Sequence, residues 1–255
     1  MAVLKKAIEA LDPTPDKTKE ITLLLSLLSE LCEQKVEAFS TSVEDELRTA
    51  GNGENRTIPV TEILARHKEY RAYIKKDAGR IATEVAGAIK KFVSGGTEEI
   101  INGVASLVTT GLEAIIGAGT GAQQETSSYY IVVQDFGIVR YDVCAWSRQI
   151  DVKGIAEHIE TALALVAFKS SVDVMKISFN TFLIAYGSQL AAMNFPPEKQ
   201  KEYITYAKEV FEMLRSENSR NQGSNALTID HSYDDGTSEI VKFRCPGQFT
   251  GSLWT

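Results

Sequence analysis

The sequence predicts a mainly α-helical α+β protein: a multi-helix bundle around buried apolar helices, with two short β-hairpins that could join into one small sheet. Three observations lead there. Apolar residues recur at three- and four-residue spacing over most of the 255 residues. Two uncharged stretches, residues 100–124 (apart from Glu113) and 177–195, are longer than ordinary strands. Two other runs are rich in β-branched and aromatic residues and carry turn residues at their centres. Nothing divides the chain, so residues 1–255 are read as a single domain.

The N-terminal helices occupy residues 1–50. Asp12-Pro13-Thr14-Pro15-Asp16 separates a short first helix from a longer one, with Thr14 or Asp16 as N-cap. From Ile21 leucines lie nearly all round this helix; further on they narrow to a stripe through Val36, Phe39, Val43 and Leu47. Glu30 and Glu33 interrupt the leucine-rich part too early for a membrane span. Gly51-Asn52-Gly53 ends it.

Residues 58–124 are predicted as a helical hairpin. Its first arm is a long amphipathic helix marked by Ile63, Leu64, His67, Tyr70, Ile74, Ile81, Val85, Ile89 and Phe92. Ser94-Gly95-Gly96-Thr97 breaks it. Thr97 then caps a glycine-rich second arm, with Glu98 and Glu99 in the first turn, where the helix dipole favours negative charge. Residues 127–146 read as a β-hairpin turning at Asp135-Phe136-Gly137, followed by helices over 152–216 broken at Pro196-Pro197. A polar loop leads to a C-terminal hairpin over 225–245, with Asp234-Asp235-Gly236-Thr237 as its turn.

The second arm is the most distinctive segment. Between residues 100 and 124 the one ionised side chain is Glu113. Val104, Leu107, Val108, Leu112, Ile115 and Ile116 line one face, and Asn102, Ser106, Thr109, Thr110 and Glu113 the other. Glycines at 103, 111, 117, 119 and 121 each cost about 1 kcal/mol relative to alanine inside a helix, so close packing is expected to repay them. Residues 177–195 are the expected packing partner. Glu113 and the threonines oppose a permanent span, whereas a helix hidden in the soluble form and released on lipid fits both features.

Composition narrows the functional classes. A net charge of -7 argues against nucleic acid as a partner and against steady attachment to anionic lipid. Cys32, Cys144 and Cys245 lie far apart without metal-ligand spacing, which fits a reduced interior. The N-terminal stretch lacks an apolar signal region, so a cytoplasmic protein is the default expectation, and any release would use a route without a signal peptide. The Gly117–Gly121 run follows a helix and precedes a strand, the reverse of a dinucleotide loop. Asp135-Phe136-Gly137 stands without the other kinase motifs. His67, His158 and His231 form no zinc pair, and a Cys144–His158 nucleophile has no local support. No catalytic residue, cofactor or metal is therefore expected.

Two readings of function remain. The first is a membrane-active helical protein of toxin or virulence-factor type whose lipid-contacting residues are Val104, Leu107, Val108, Leu112, Ile115 and Ile116, with Cys144 as a candidate acylation site. The second is a soluble interaction or structural module, with homo-oligomers among its forms and no catalysis.

Overall fold

The structure is a computed structural model that describes residues 15–52, 57–73, 78–93, 95–116, 123–134, 136–149, 161–224, 226–232 and 238–244. Helix α1 spans Pro15–Thr49, β1 Val60–Tyr73, α2 Ala78–Phe92, α3 Glu98–Ile116, β2 Gln123–Gln134, β3 Gly137–Gln149 and β4 Thr161–Val172. Helices α4 (Phe179–Ala192) and α5 (Pro197–Ser224) follow, then β5 (Ala226–Ser232) and β6 (Ser238–Arg244). The expected short first helix, the Gly117–Gly121 loop, His158 and Cys245 lie outside the described residues.

The fold is α+β, but it is not the predicted helical bundle. Its centre is a four-stranded antiparallel sheet in the order β1-β4-β3-β2, and β5–β6 form a separate two-stranded sheet. Two segments expected as helix are strands. Residues 60–73 form β1, so the predicted long first arm of the hairpin is β1 followed by α2. Residues 161–172, expected inside a helix over 152–194, form the central strand β4. Two smaller corrections follow: Gln123 and Gln124 belong to β2, and α5 continues through the predicted polar loop to Ser224.

The physical reasons differ. As the central strand, β4 is buried on both faces from Ala162 to Phe168. Its side chains therefore read as one continuous apolar run, which periodicity alone does not separate from a buried helix. Strand β1 lies at an edge and carries charge on both faces, so no alternation of apolar and polar residues marks it. Its Glu, Lys, Arg and Ala residues are also good helix formers.

Helices cover both faces of the sheet. Cys144, Trp146, Ala162, Ala164, Val166 and Phe168 point to α1, where they meet Leu28, Cys32, Val36, Val43 and Leu47. Tyr141, Val143, Ala145, Leu163, Leu165 and Ala167 belong to the second core, with α2 and α3. At 1.5 Å per residue α1 runs to about 52 Å, whereas a strand of β4's length reaches about 40 Å. Toward the N-terminal end of α1, Leu23 and Leu27 are exposed. Helices α4, N-capped by Ser178, and α5, which opens on Pro197, join the second core beside β2 and β3 through Phe182, Tyr186 and Phe211.

Candidate functional site

The α2–α3 hairpin sits on the sheet through an apolar face. Ile81, Val85 and Ile89 of α2 and Ile100, Val104, Val108, Leu112 and Ile115 of α3 are all buried in one cluster with the sheet. The opposite side of α3 carries Asn102, Ser106, Thr110 and Glu113, all exposed, and that of α2 carries Arg80, Thr83, Glu84, Lys90 and Lys91. Polar ties to the strands are Glu84 to Arg71 and the Ile115 carbonyl, which accepts from Ser147 Oγ at 2.7 Å. At the N-terminus of α3 the Tyr203 hydroxyl donates to Glu99, fastening it to α5. The turn between the helices is held close to β2. A Cβ on Gly95, at φ +92°, would fall 2.5 Å from the Gln134 amide nitrogen, and one on Gly96 would fall 2.6 Å from Val132 Cγ1.

The two described α3 glycines have different surroundings. A Cβ on Gly103 would lie 2.6 Å from Met193 Sδ, so the end of α4 approaches the helix there. At Gly111 the nearest atom would be Thr126 Oγ1 at 3.9 Å, ordinary contact distance. The expected partner stretch 177–195 approaches α3 at Met193, while α3 rests mainly on α2, β2 and β3.

On the other face α1 is held by charge. Glu44 pairs with Arg66 at 3.0 Å, Glu37 with Lys68 at 3.2 Å, and Glu33 accepts from the Tyr70 hydroxyl at 3.0 Å. Three carboxylates of one helix face thereby meet alternate residues of β1. Lys35 reaches Glu125 of β2. Beneath the C-terminal end of α1, Arg140 is fully buried: its Nε and Nη2 donate to Asp142, Nη2 also to Glu46 at 2.7 Å, and Nη1 to the Ile58 carbonyl at 2.9 Å. The Tyr129 ring covers the guanidinium at 4.5 Å. Burial pushes the Asp142 carboxyl up to about 6, opposed by Arg140. Burial would lower Arg140, but Asp142 and Glu46 hold it above its ordinary value. With its donors engaged, the cluster is a clamp joining α1, β3 and the entry to β1.

The residues predicted to touch lipid fall on one side of α3: Val104, Val108, Leu112 and Ile115 are buried, and Leu107 and Ile116 are half-buried. Cys144 is buried on the α1 face, its Sγ 3.2 Å from Ser127 Oγ, and burial raises its thiol. Burial likewise pushes Cys32 up to about 11. Both thiols are therefore protonated and shielded at neutral pH. His67 sits 3.3 Å from Glu69 with its ring against Phe92, and among the described residues no His, Cys, Asp and Glu gather as a metal site. Of the strand aromatics, Tyr130, Tyr141 and Trp146 are buried and Phe136 stands out at 89% exposure.

One feature escaped the sequence. Gln189 of α4 accepts from the Ile131 amide at 2.6 Å and donates to its carbonyl at 2.8 Å, closing the edge of β2 as a neighbouring strand would. Beside it lies a groove of about 620 Å³ lined by Leu107, Tyr129, Tyr130, Ile184 and Ala185, with Ser128, Thr181 and Ser188 at its margins. A glutamine in an uncharged helix carries no local signal of this role. Fold and site together define an α+β protein whose antiparallel sheet carries a charge-tied helix on one face and, on the other, an apolar helical layer that includes the α2–α3 hairpin. The chain matches no family model, no curated protein and no solved structure.

Proposed function

We propose that this is a membrane-active protein whose α2–α3 hairpin is sheltered on the sheet in water and spreads its apolar face on lipid. The observation that carries the reading is topological. The hairpin joins the two edge strands, β1 and β2, and packs from outside, so it can swing away without breaking a sheet hydrogen bond. The buried isoleucine, valine and leucine side chains of its apolar face would be exposed, at about 1.5–3 kcal/mol each, or roughly 12–24 kcal/mol in water. Release in water is therefore negligible, and only another apolar medium can replace the sheet.

The polar faces decide the mode of binding. Glu98–Ile116 is long and apolar enough to cross a membrane by length and composition. Yet Asn102, Ser106, Thr110 and Glu113 share its outer side, and α2 adds Arg80, Glu84, Lys90 and Lys91. Such helices suit the plane of the bilayer interface, with the apolar face down and the charges in water.

A disulfide lock tests this. Gly111→Cys with Thr126→Cys joins α3 to β2 at a site where a Cβ on Gly111 would stand 3.9 Å from Thr126 Oγ1. Dye release from liposomes should occur with the native protein and with the reduced double variant, and should cease when that variant is oxidised. Intact vesicles at micromolar native protein, at neutral and mildly acidic pH, would refute the proposal. Equal leakage from locked and reduced forms would refute it too. The complete burial of Val104, Val108 and Leu112 also fits the permanent core of a soluble interaction module. Slow hydrogen exchange in α3 that persists on vesicles would favour that second reading.

A further inference from the structure

Four turns meet at one end of the sheet. The β2–β3 turn places Phe136 between the paired residues Gln134 and Gly137. The β4–α4 connection begins opposite it, since Ser171 pairs with Val139, and carries Met175, also exposed. The α2–α3 turn lies against Gln134 and Val132 through Gly95 and Gly96. The α1–β1 connection reaches the same end, where the Pro59 carbonyl accepts from the Asp173 amide at 2.8 Å.

We propose that this end is the surface that first meets the membrane, with Phe136 entering the interfacial layer of a zwitterionic bilayer and Met175 beside it. The inference rests on the reading of the hairpin above. Phe136 projects from a two-stranded tip with 89% of its surface in water. An apolar ring at such a tip reaches the headgroup layer ahead of the rest of the molecule. The charges around it select the lipid. Lys176 pairs with Asp173 and Arg48 with Asp45, while Lys90 and Lys91 in the last turn of α2 are equalled in number by Glu98 and Glu99 in the first turn of α3. Over these named residues the four Lys and Arg equal the four Asp and Glu, so no formal positive charge draws this end to anionic headgroups. Docking here also sets the α2–α3 turn at the bilayer, so the hairpin has lipid within reach as it leaves the sheet.

The test uses the oxidised Gly111→Cys/Thr126→Cys protein, which cannot release its hairpin, and vesicles of phosphatidylcholine alone. The locked protein should sediment with the vesicles, and Phe136→Ser should weaken that partitioning about tenfold or more. Phe136→Trp should keep it and show a blue-shifted emission on vesicles. Met175→Ser should give a smaller loss. Position 136 is an exposed turn residue, so unchanged circular dichroism and melting should accompany each variant. Partitioning by Phe136→Ser equal to its parent, no binding by the locked protein, or binding that requires phosphatidylserine would each overturn the docking surface. Leakage by the reduced protein would still uphold the hairpin reading in those cases. Conversely, normal docking with no leakage from the reduced form would sink the hairpin reading and leave this surface standing.

Discussion

Helices cover both faces of the sheet on apolar seats, but the balance of ionic ties differs between the faces. On one face α1 is tied by carboxylates to Arg66, Lys68 and Arg140, and by Lys35 to Glu125. On the other, α2 and α3 rest on Tyr141, Val143, Leu163 and Leu165 through aliphatic side chains. Ion pairs depend on their partners and on direction, so they cannot be moved to lipid without loss. Apolar contact is indifferent to what supplies it. Under the proposed function the two-helix layer is the one that leaves the sheet, and the ion-paired long helix is the one that stays.

The comparison can be broken most severely at the clamp. Arg140→Met leaves Asp142 buried without its cation and should cost about 3–5 kcal/mol in denaturant unfolding. Replacing Asp142 with leucine as well should recover much of that loss, because the uncompensated charge is gone. On the apolar face, Leu112→Ala should cost about 2–5 kcal/mol through lost burial and the cavity left behind. A fall below about 1 kcal/mol would show that α3 is already loosely seated. Gln189→Leu leaves the Ile131 amide and carbonyl without partners and should cost about 1–3 kcal/mol, with a tendency to associate through the opened edge.

Smaller effects sharpen the contrast. Gly111→Ala should stabilise by about 0.5–1 kcal/mol, since a methyl there has room and the helix loses a flexible residue. Glu37→Gln should change stability by less than about 1 kcal/mol, and that change should shrink in high salt, because the pair with Lys68 is exposed. The pH response separates the faces as well. The Asp142 carboxyl lies at about 6 against an ordinary 3.8, raised by burial. Its contribution to stability is therefore full below the ordinary value and is lost as pH rises through about 6. Acidification into that window does not open the clamp through this group. Asp142→Asn should flatten the stability profile between those two values, measured by urea midpoints across pH.

Much of the local structure was legible because its signals are local. The glycine-rich helix is capped by Thr97, begins with Glu98 and Glu99, and buries the stripe through Val104, Val108 and Leu112. The strand run ending at Trp146 turns between the paired residues Gln134 and Gly137, where Asp135-Phe136-Gly137 placed the turn. The sheet as a whole was not legible. Strand β4 is recognisable only by its neighbours, β1 and β3, and residue Val60 pairs with Val172, far along the chain. Strand β1 hides its alternation because helices on both faces supply counter-charges: Glu44 and Glu37 to Arg66 and Lys68, and Glu84 to Arg71. At the candidate site the apolar stripe was visible in α3, but the seat beneath it was not, because that seat is built in part from a misread strand. Phe136 was seen as a turn residue, and its exposure is a property of the tip that only the register of β2 and β3 defines.

The strand order also bears on how the chain is made. The strand that closes the sheet, β4, is the last of the four to leave the ribosome, and it must slide between β1 and β3, both synthesised earlier. Until Val172 has emerged, β1 has no partner, and the α2–α3 hairpin has only half a surface to lie on. Closure over so long a separation is slow. A nascent chain can therefore seat its most apolar helix on β2 and β3 early, and the final strand completes the core beneath it and gives β1 its partner in one event.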